Sequence, residues 1–171
     1  DTKWQFYTFS FVGCPAPYSA VNSPLGIIYL GWNGLYTYNG ESSQLISDSV
    51  SDVMRDILTS NLDNVAGVYY NNEYRMAYTS DESGESVNNV VLLLDVVRNS
   101  FVLDDESTNC WALFTSGNDF GALYSGSSTT DGKVLSHNPS LSTLVIRLKS
   151  DLEEGTKDSI AIGGDENYPD M

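Results

Sequence analysis

The chain has 171 residues, enough for one domain with a buried core and too few for two large ones. Eight Lys plus Arg against 23 Asp plus Glu leave a net charge of −15, although only 18% of residues are charged, so the acidity comes from scarce bases. Nucleic acid and anionic lipid headgroups are held by Lys and Arg, so nucleic acid is excluded as a partner and anionic lipid headgroups are disfavoured.

Small turn-formers are abundant, with 14 Gly, 14 Asn and 23 Ser, and Tyr dominates the aromatics with 11 copies. Such residues alternating with aromatic and β-branched ones describe many short strands rather than a helical bundle. No stretch approaches the eighteen or so apolar residues of a membrane span. The start, Asp1-Thr2-Lys3-Trp4, lacks the layout of a signal peptide. With the unpunctuated end Pro169-Asp170-Met171, this leads us to expect a piece of a longer chain.

In chain order, Trp4 to Val12 reads as a strand that Gly13-Cys14-Pro15-Ala16-Pro17 ends. Ser19-Ala20-Val21, Ile27 to Leu30 and Leu35 to Tyr38 then form a meander with turns at Asn22 to Gly26, Gly31 to Gly34 and Asn39-Gly40. The Asn-Gly pairs are hairpin signals, because both residues tolerate positive φ. One segment departs from this rhythm: behind a Ser47-Asp48-Ser49 cap, Val50, Val53, Met54, Ile57 and Leu58 share one helical face. This predicts a helix of about three turns over residues 49–60.

Hairpins resume with Val65 to Tyr70 and Glu73 to Thr79, then Asn89 to Asp95 and Ser100 to Leu103. The apolar run Val90 to Leu94 predicts a strand covered on both faces. Strands follow at Cys110 to Phe114, Gly121 to Gly126 and Lys133 to Ser136, with turns at Ser116 to Asp119 and Thr130-Asp131-Gly132. Units starting near Ser19, Val65 and Cys110 lie about 45 residues apart, the length of a β-propeller blade. The expected fold is all-β, a propeller-like array of four-stranded antiparallel blades over residues 1–148 with one inserted helix; a β-sandwich is the alternative. Residues 149–171 are expected to be a linker or the start of a following β-domain.

The segment Leu25 to Gly40, with Leu45-Ile46-Ser47-Asp48 and the helix after it, resembles blades of β-propeller proteins carried by tailed bacteriophages and prophages. Val68 to Tyr78, Asn88 to Asp95, Gly121 to Gly126 and Asp131 to Val134 continue the pattern, and Arg147 to Gly155 is similar to the segment that opens the next domain. The resemblance implies a virion protein of the tail, neck or vertex without chemistry of its own. It would be a symmetric homo-oligomer touching other virion proteins and a host glycan or receptor.

Candidate chemistry is sparse. His137 is the single histidine, in the turn Ser136-His137-Asn138-Pro139, and reads as a surface or turn residue. The carboxylate pairs Asp81/Glu82, Asp104/Asp105/Glu106 and Glu153/Glu154 lie in polar loops, where solvated acids are the default. Arg55, Arg75 and Arg98 are scattered, and Ser127 to Gly132 only faintly echoes a sialidase Asp-box. Asn61-Leu62-Asp63-Asn64 and Asn118-Asp119 match no calcium loop and read as turns. Cys14 and Cys110 read as buried free thiols, or else as a disulfide. No enzyme, cofactor or metal is expected. Trp32, in the turn Gly31-Trp32-Asn33-Gly34, is the candidate ligand contact for the alternative function, an extracellular carbohydrate-binding propeller.

Overall fold

The computed structural model describes residues 12–114, 121–129 and 132–137. These residues are 48% strand and 14% helix, in three antiparallel sheets of three or four strands, so the protein is mostly β. Contacts divide the chain into two compact units, Asp1–Trp111 with Gly126–Lys133, and Ala112–Ser125 with Val134–Met171. The expected strand over Trp4 to Phe11, the turns at 116–119 and 130–131, and everything after His137, including the 148/149 boundary and Glu153/Glu154, lie outside the described residues.

In the first unit, β1 (Val21–Ser23), β2 (Gly26–Gly31), β3 (Gly34–Tyr38) and β4 (Ser43–Leu45) form a sheet in sequence order. Trp32 and Asn33 are the whole β2–β3 loop, since Gly31 pairs with Gly34. Between β3 and β4, Asn39 Oδ1 accepts from the Glu41 and Ser42 N–H groups, each at 3.0 Å, an Asx-type turn. The outer strands are too short to complete the ladder. Beyond them two serines act as acceptors: Ser19 Oγ takes the Leu30 N–H and Ser47 Oγ takes the Leu35 N–H, both at 2.9 Å.

A second sheet follows with the same order: β5 (Ala66–Tyr70), β6 (Glu73–Tyr78), β7 (Val90–Asp95) and β8 (Ser100–Asp104). Its tight turns use asparagine in the left-handed region, with φ of 50° at Asn71, 66° at Asn72 and 52° at Asn99. Period-two alternation sends Ile28, Leu30 and Leu35 of the first sheet, and Tyr74, Met76, Tyr78, Leu92 and Leu94 of the second, into one cluster with Ala16, Ile57 and Val65. Val91 is buried as well but lies outside that cluster, so the run from Val90 to Leu94 has buried residues on both faces, as expected. A third sheet runs in the order β11 (Val134–Ser136), β10 (Ala122–Ser127), β9 (Thr108–Phe114). First strands begin at Val21, Ala66 and Thr108, so successive units start 45 (66 − 21) and 42 (108 − 66) residues apart.

The helix expected over 49–60 is corrected. The α-helical part, α1, covers only Ser51–Arg55, between 3-10 segments at Asp48–Val50 and Thr59–Asn64. Local pairing ends it: Ile57 bridges to Ser80, the Leu58 N–H donates to Thr79 O at 2.9 Å, and the Asp81 N–H donates to Asp56 O at 2.7 Å. Ser47 does not cap it, because its hydroxyl is committed to Leu35. Val53 and Met54 still pack against the core, as the helical periodicity predicts.

Candidate functional site

The segments that lead into the first strands come together. Tyr18, in the 3-10 turn Pro17–Ser19 before β1, Asp63 and Asn64 at the end of the 3-10 segment before β5, and Asn109, Cys110 and Trp111 at the start of β9 line one pocket of about 370 Å³. Val65, Ala66 and Gly67 complete the lining.

Buried hydrogen bonds fix those walls. Under Tyr18, Ser19 Oγ donates to Ala16 O at 2.6 Å, while Ser19 O accepts from the Tyr74 hydroxyl at 2.8 Å. Tyr74 has no exposed surface, and burial pushes its phenol far above the ordinary value, so it stays a neutral donor. The β5 backbone approaches closely: a Cβ added at Gly67 would lie 2.7 Å from Ser19 O, so only glycine fits without a shift. On the next wall, buried Asn88 donates from Nδ2 to Asn64 O at 2.6 Å and accepts from Thr79 Oγ1 at 3.2 Å. Trp111 Nε1 donates to Ala66 O at 3.1 Å, which ties β9 to β5.

The lining therefore offers two aromatic rings (Tyr18, Trp111), one carboxylate (Asp63), two amides (Asn64, Asn109) and a thiol (Cys110), and no Lys or Arg. Such a set is suited to uncharged polar molecules through ring contacts and hydrogen bonds. Of these residues, sequence reasoning singled out only Asp63, Asn64 and Cys110, and gave none of them a binding role. A signal was present, since residues 18, 63–64 and 109–111 stand about one repeat apart, each at the entry to a unit.

Trp32 sits elsewhere. It is 70% exposed at the tip of the β2–β3 hairpin and borders a cleft of only about 30 Å³ with Pro15, Leu30 and Met54. The surface placement of His137 is corrected: in the second unit it is 5% exposed, its N–H donates to Leu123 O at 2.7 Å, and Nε2 lies 2.7 Å from Ser125 Oγ, itself 1% exposed. Its position just beyond β11, opposite β10, folds it inward. The burial of the cysteines is corrected too. Both are free and exposed, Cys14 ahead of the first 3-10 turn with Sγ 3.2 Å from Ala16 O, and Cys110 on β9 beside Gly126.

Two of the arginines are in local pairs, Arg75 with Glu73 at 2.6 Å and Arg98 with Asp95 at 2.7 Å, and Arg55 is exposed at the end of α1. Asp81 and Glu82 are exposed, and Glu106 accepts from Thr108 Oγ1 at 2.7 Å, so neither described carboxylate cluster faces the pocket lining. Asn61 acts in the fold, donating to Thr79 Oγ1 at 3.2 Å and Ser86 O at 2.9 Å. Among the described residues, no group of three or more His, Cys, Asp or Glu side chains stands where it could hold a metal ion. No helix among them is long and apolar enough to cross a membrane. Comparison with protein-family models finds no match for this chain, and comparison with curated proteins finds none either.

Proposed function

We propose that the three sheets are blades of a β-propeller and that the chain is a non-enzymatic structural component of a tailed-phage virion, at the tail, neck or vertex. One observation carries the propeller reading: residues entering the first strands of three successive sheets line a single pocket. Strands β1 and β5 also lie side by side, and Trp111 of β9 bonds to β5. First strands gathered around one axis are what a radial array of meanders requires. A sandwich of two sheets makes no such demand on every unit.

The virion assignment rests on the blade resemblance, which covers most of residues 19–155, together with two physical features. The single histidine, His137, is buried and engaged with Ser125. Apolar side chains remain exposed, among them Ile27, Val102, Leu103, Leu113 and Phe114, the kind of surface that neighbouring proteins in a particle cover. The charge of −15 suits an outer position better than a wall along the path of DNA.

The test is mass spectrometry of gradient-purified particles from the phage or induced prophage that encodes the chain, with gold-labelled antibody on the same particles. The reading expects the chain in stoichiometric amount and label at the tail, neck or vertex. Particles that lack the chain would refute it.

A further inference from the structure

We infer that the pocket between the unit entries binds one neutral sugar ring. This goes beyond the structural role proposed above and does not depend on it, since it stands on the pocket alone. Its volume of about 370 Å³ lies at the small end of the range for small-molecule sites, about 300–1,000 Å³, which suits a single ring rather than an extended chain.

The lining chemistry selects the ligand class. Tyr18 and Trp111 offer ring faces on which the C–H face of a pyranose can rest. Asp63 accepts hydrogen bonds, and Asn64 and Asn109 each offer a donor and an acceptor, the mixture that adjacent hydroxyl groups need. No cation lines the pocket and the chain carries −15, so a carboxylated, sulfated or phosphorylated sugar is disfavoured. A quaternary ammonium ion would use the rings and Asp63 but leave both amides without a role. The walls are held from behind by the Tyr74–Ser19, Asn88–Asn64 and Trp111–Ala66 bonds, so the cavity exists before the ligand arrives. For a ligand of this size a dissociation constant on the order of 1 mM is expected.

The exposed thiol of Cys110 in the lining provides a reporter, and Cys14, also exposed and outside the lining, provides an internal control. The full chain is alkylated with iodoacetamide in the presence of about 20 mM methyl glycoside, well above the expected constant. The glycosides are those of glucose, galactose, mannose and N-acetylglucosamine, with N-acetylneuraminic acid and choline as separate arms, and both thiols are followed by mass spectrometry. Binding of the same ligands is measured by saturation-transfer NMR.

At least one neutral glycoside should slow alkylation of Cys110 several-fold and leave Cys14 unchanged. Tyr18→Ala, at a residue 69% exposed and therefore safe for folding, and Asp63→Ala should each weaken binding about tenfold. Trp32→Ala should leave binding unchanged. The inference is overturned if no neutral glycoside binds or protects Cys110, if choline or the sialic acid alone does so, or if binding is lost in Trp32→Ala and kept in Tyr18→Ala.

Discussion

Replacing Ser19 by alanine removes a single oxygen atom on which two elements depend. Ser19 is fully buried, and its hydroxyl accepts the N–H of Leu30, a residue only 3% exposed, where β1 is too short to supply a carbonyl. In Ser19→Ala that donor is left buried without its acceptor, which costs about 1–3 kcal/mol. Loss of the Oγ bond to Ala16 O adds about 1 kcal/mol at most, because the same carbonyl still accepts the Ser19 N–H at 3.0 Å. The expected total is about 1–4 kcal/mol, or a fall in Tm of about 2–16 °C for a chain of this size. Urea unfolding followed by tryptophan fluorescence measures it, with Ser49→Ala, at an exposed position, as the control expected within about 0.5 kcal/mol. Equal midpoints for Ser19→Ala and Ser49→Ala, with both spectra native-like, would refute the view that serine hydroxyls complete the first sheet.

Other outcomes follow from the same contacts. Gly67→Ala places a methyl group against the Ser19 backbone and should cost about 1–3 kcal/mol in the same assay, whereas a neutral result would mean that β5 and the turn before β1 are not in contact. Burial raises the phenols of Tyr74 and Tyr78, the latter to about 12 with a further push from nearby Asp56. Their unfolded counterparts ionise near 10.0, so stability is fully present below that pH and falls as pH rises above it, by about 1.4 kcal/mol per pH unit from Tyr74. Tyr74→Phe should flatten that alkaline limb in a pH series of urea midpoints, and an unchanged slope would contradict it. The Arg98 backbone N–H and guanidinium hold the Asp95 carboxyl below its usual range, so the β7–β8 turn is favoured above about pH 4 and loosens as pH falls through the lowered value. NMR titration of the Asp95 side chain and the Arg98 amide checks this, with the two expected to move together.

The hairpins were the most legible part of the sequence, because their signals are local. Asparagine in Asn71-Asn72 and Asn99, and the Asn39 turn, declare backbone conformations that few residues adopt. The helix is shorter than its periodicity predicts, because periodicity says nothing about competing partners: Leu58 finds Thr79, 21 residues away, and the chain leaves the helix to meet it. The same limit hid the roles of Ser19 and Ser47, two among many serines, whose value arises where a neighbouring strand runs out. His137 and the cysteines were misplaced because burial depends on which strand lies opposite, as β10 does for His137. The pocket is not legible in the sequence because its rings and amides come from three separate segments. The 45-residue rhythm marks equivalent positions in those segments, but only the contact of β1 with β5 and the Trp111–Ala66 bond bring them to one place.

The meeting of the three entry segments at one pocket is the center of the account, and nuclear Overhauser spectroscopy of the full chain tests it most directly. Cross-peaks are predicted from Gly67 Hα to Ser19 Hα and from the Trp111 indole N–H to Ala66 and Gly67, so that β5 is flanked by both the entry to β1 and the start of β9. Gly67 contacts to Ser19 without any from Trp111, or the reverse, would contradict the meeting of the three entry segments and with it the propeller reading and the pocket.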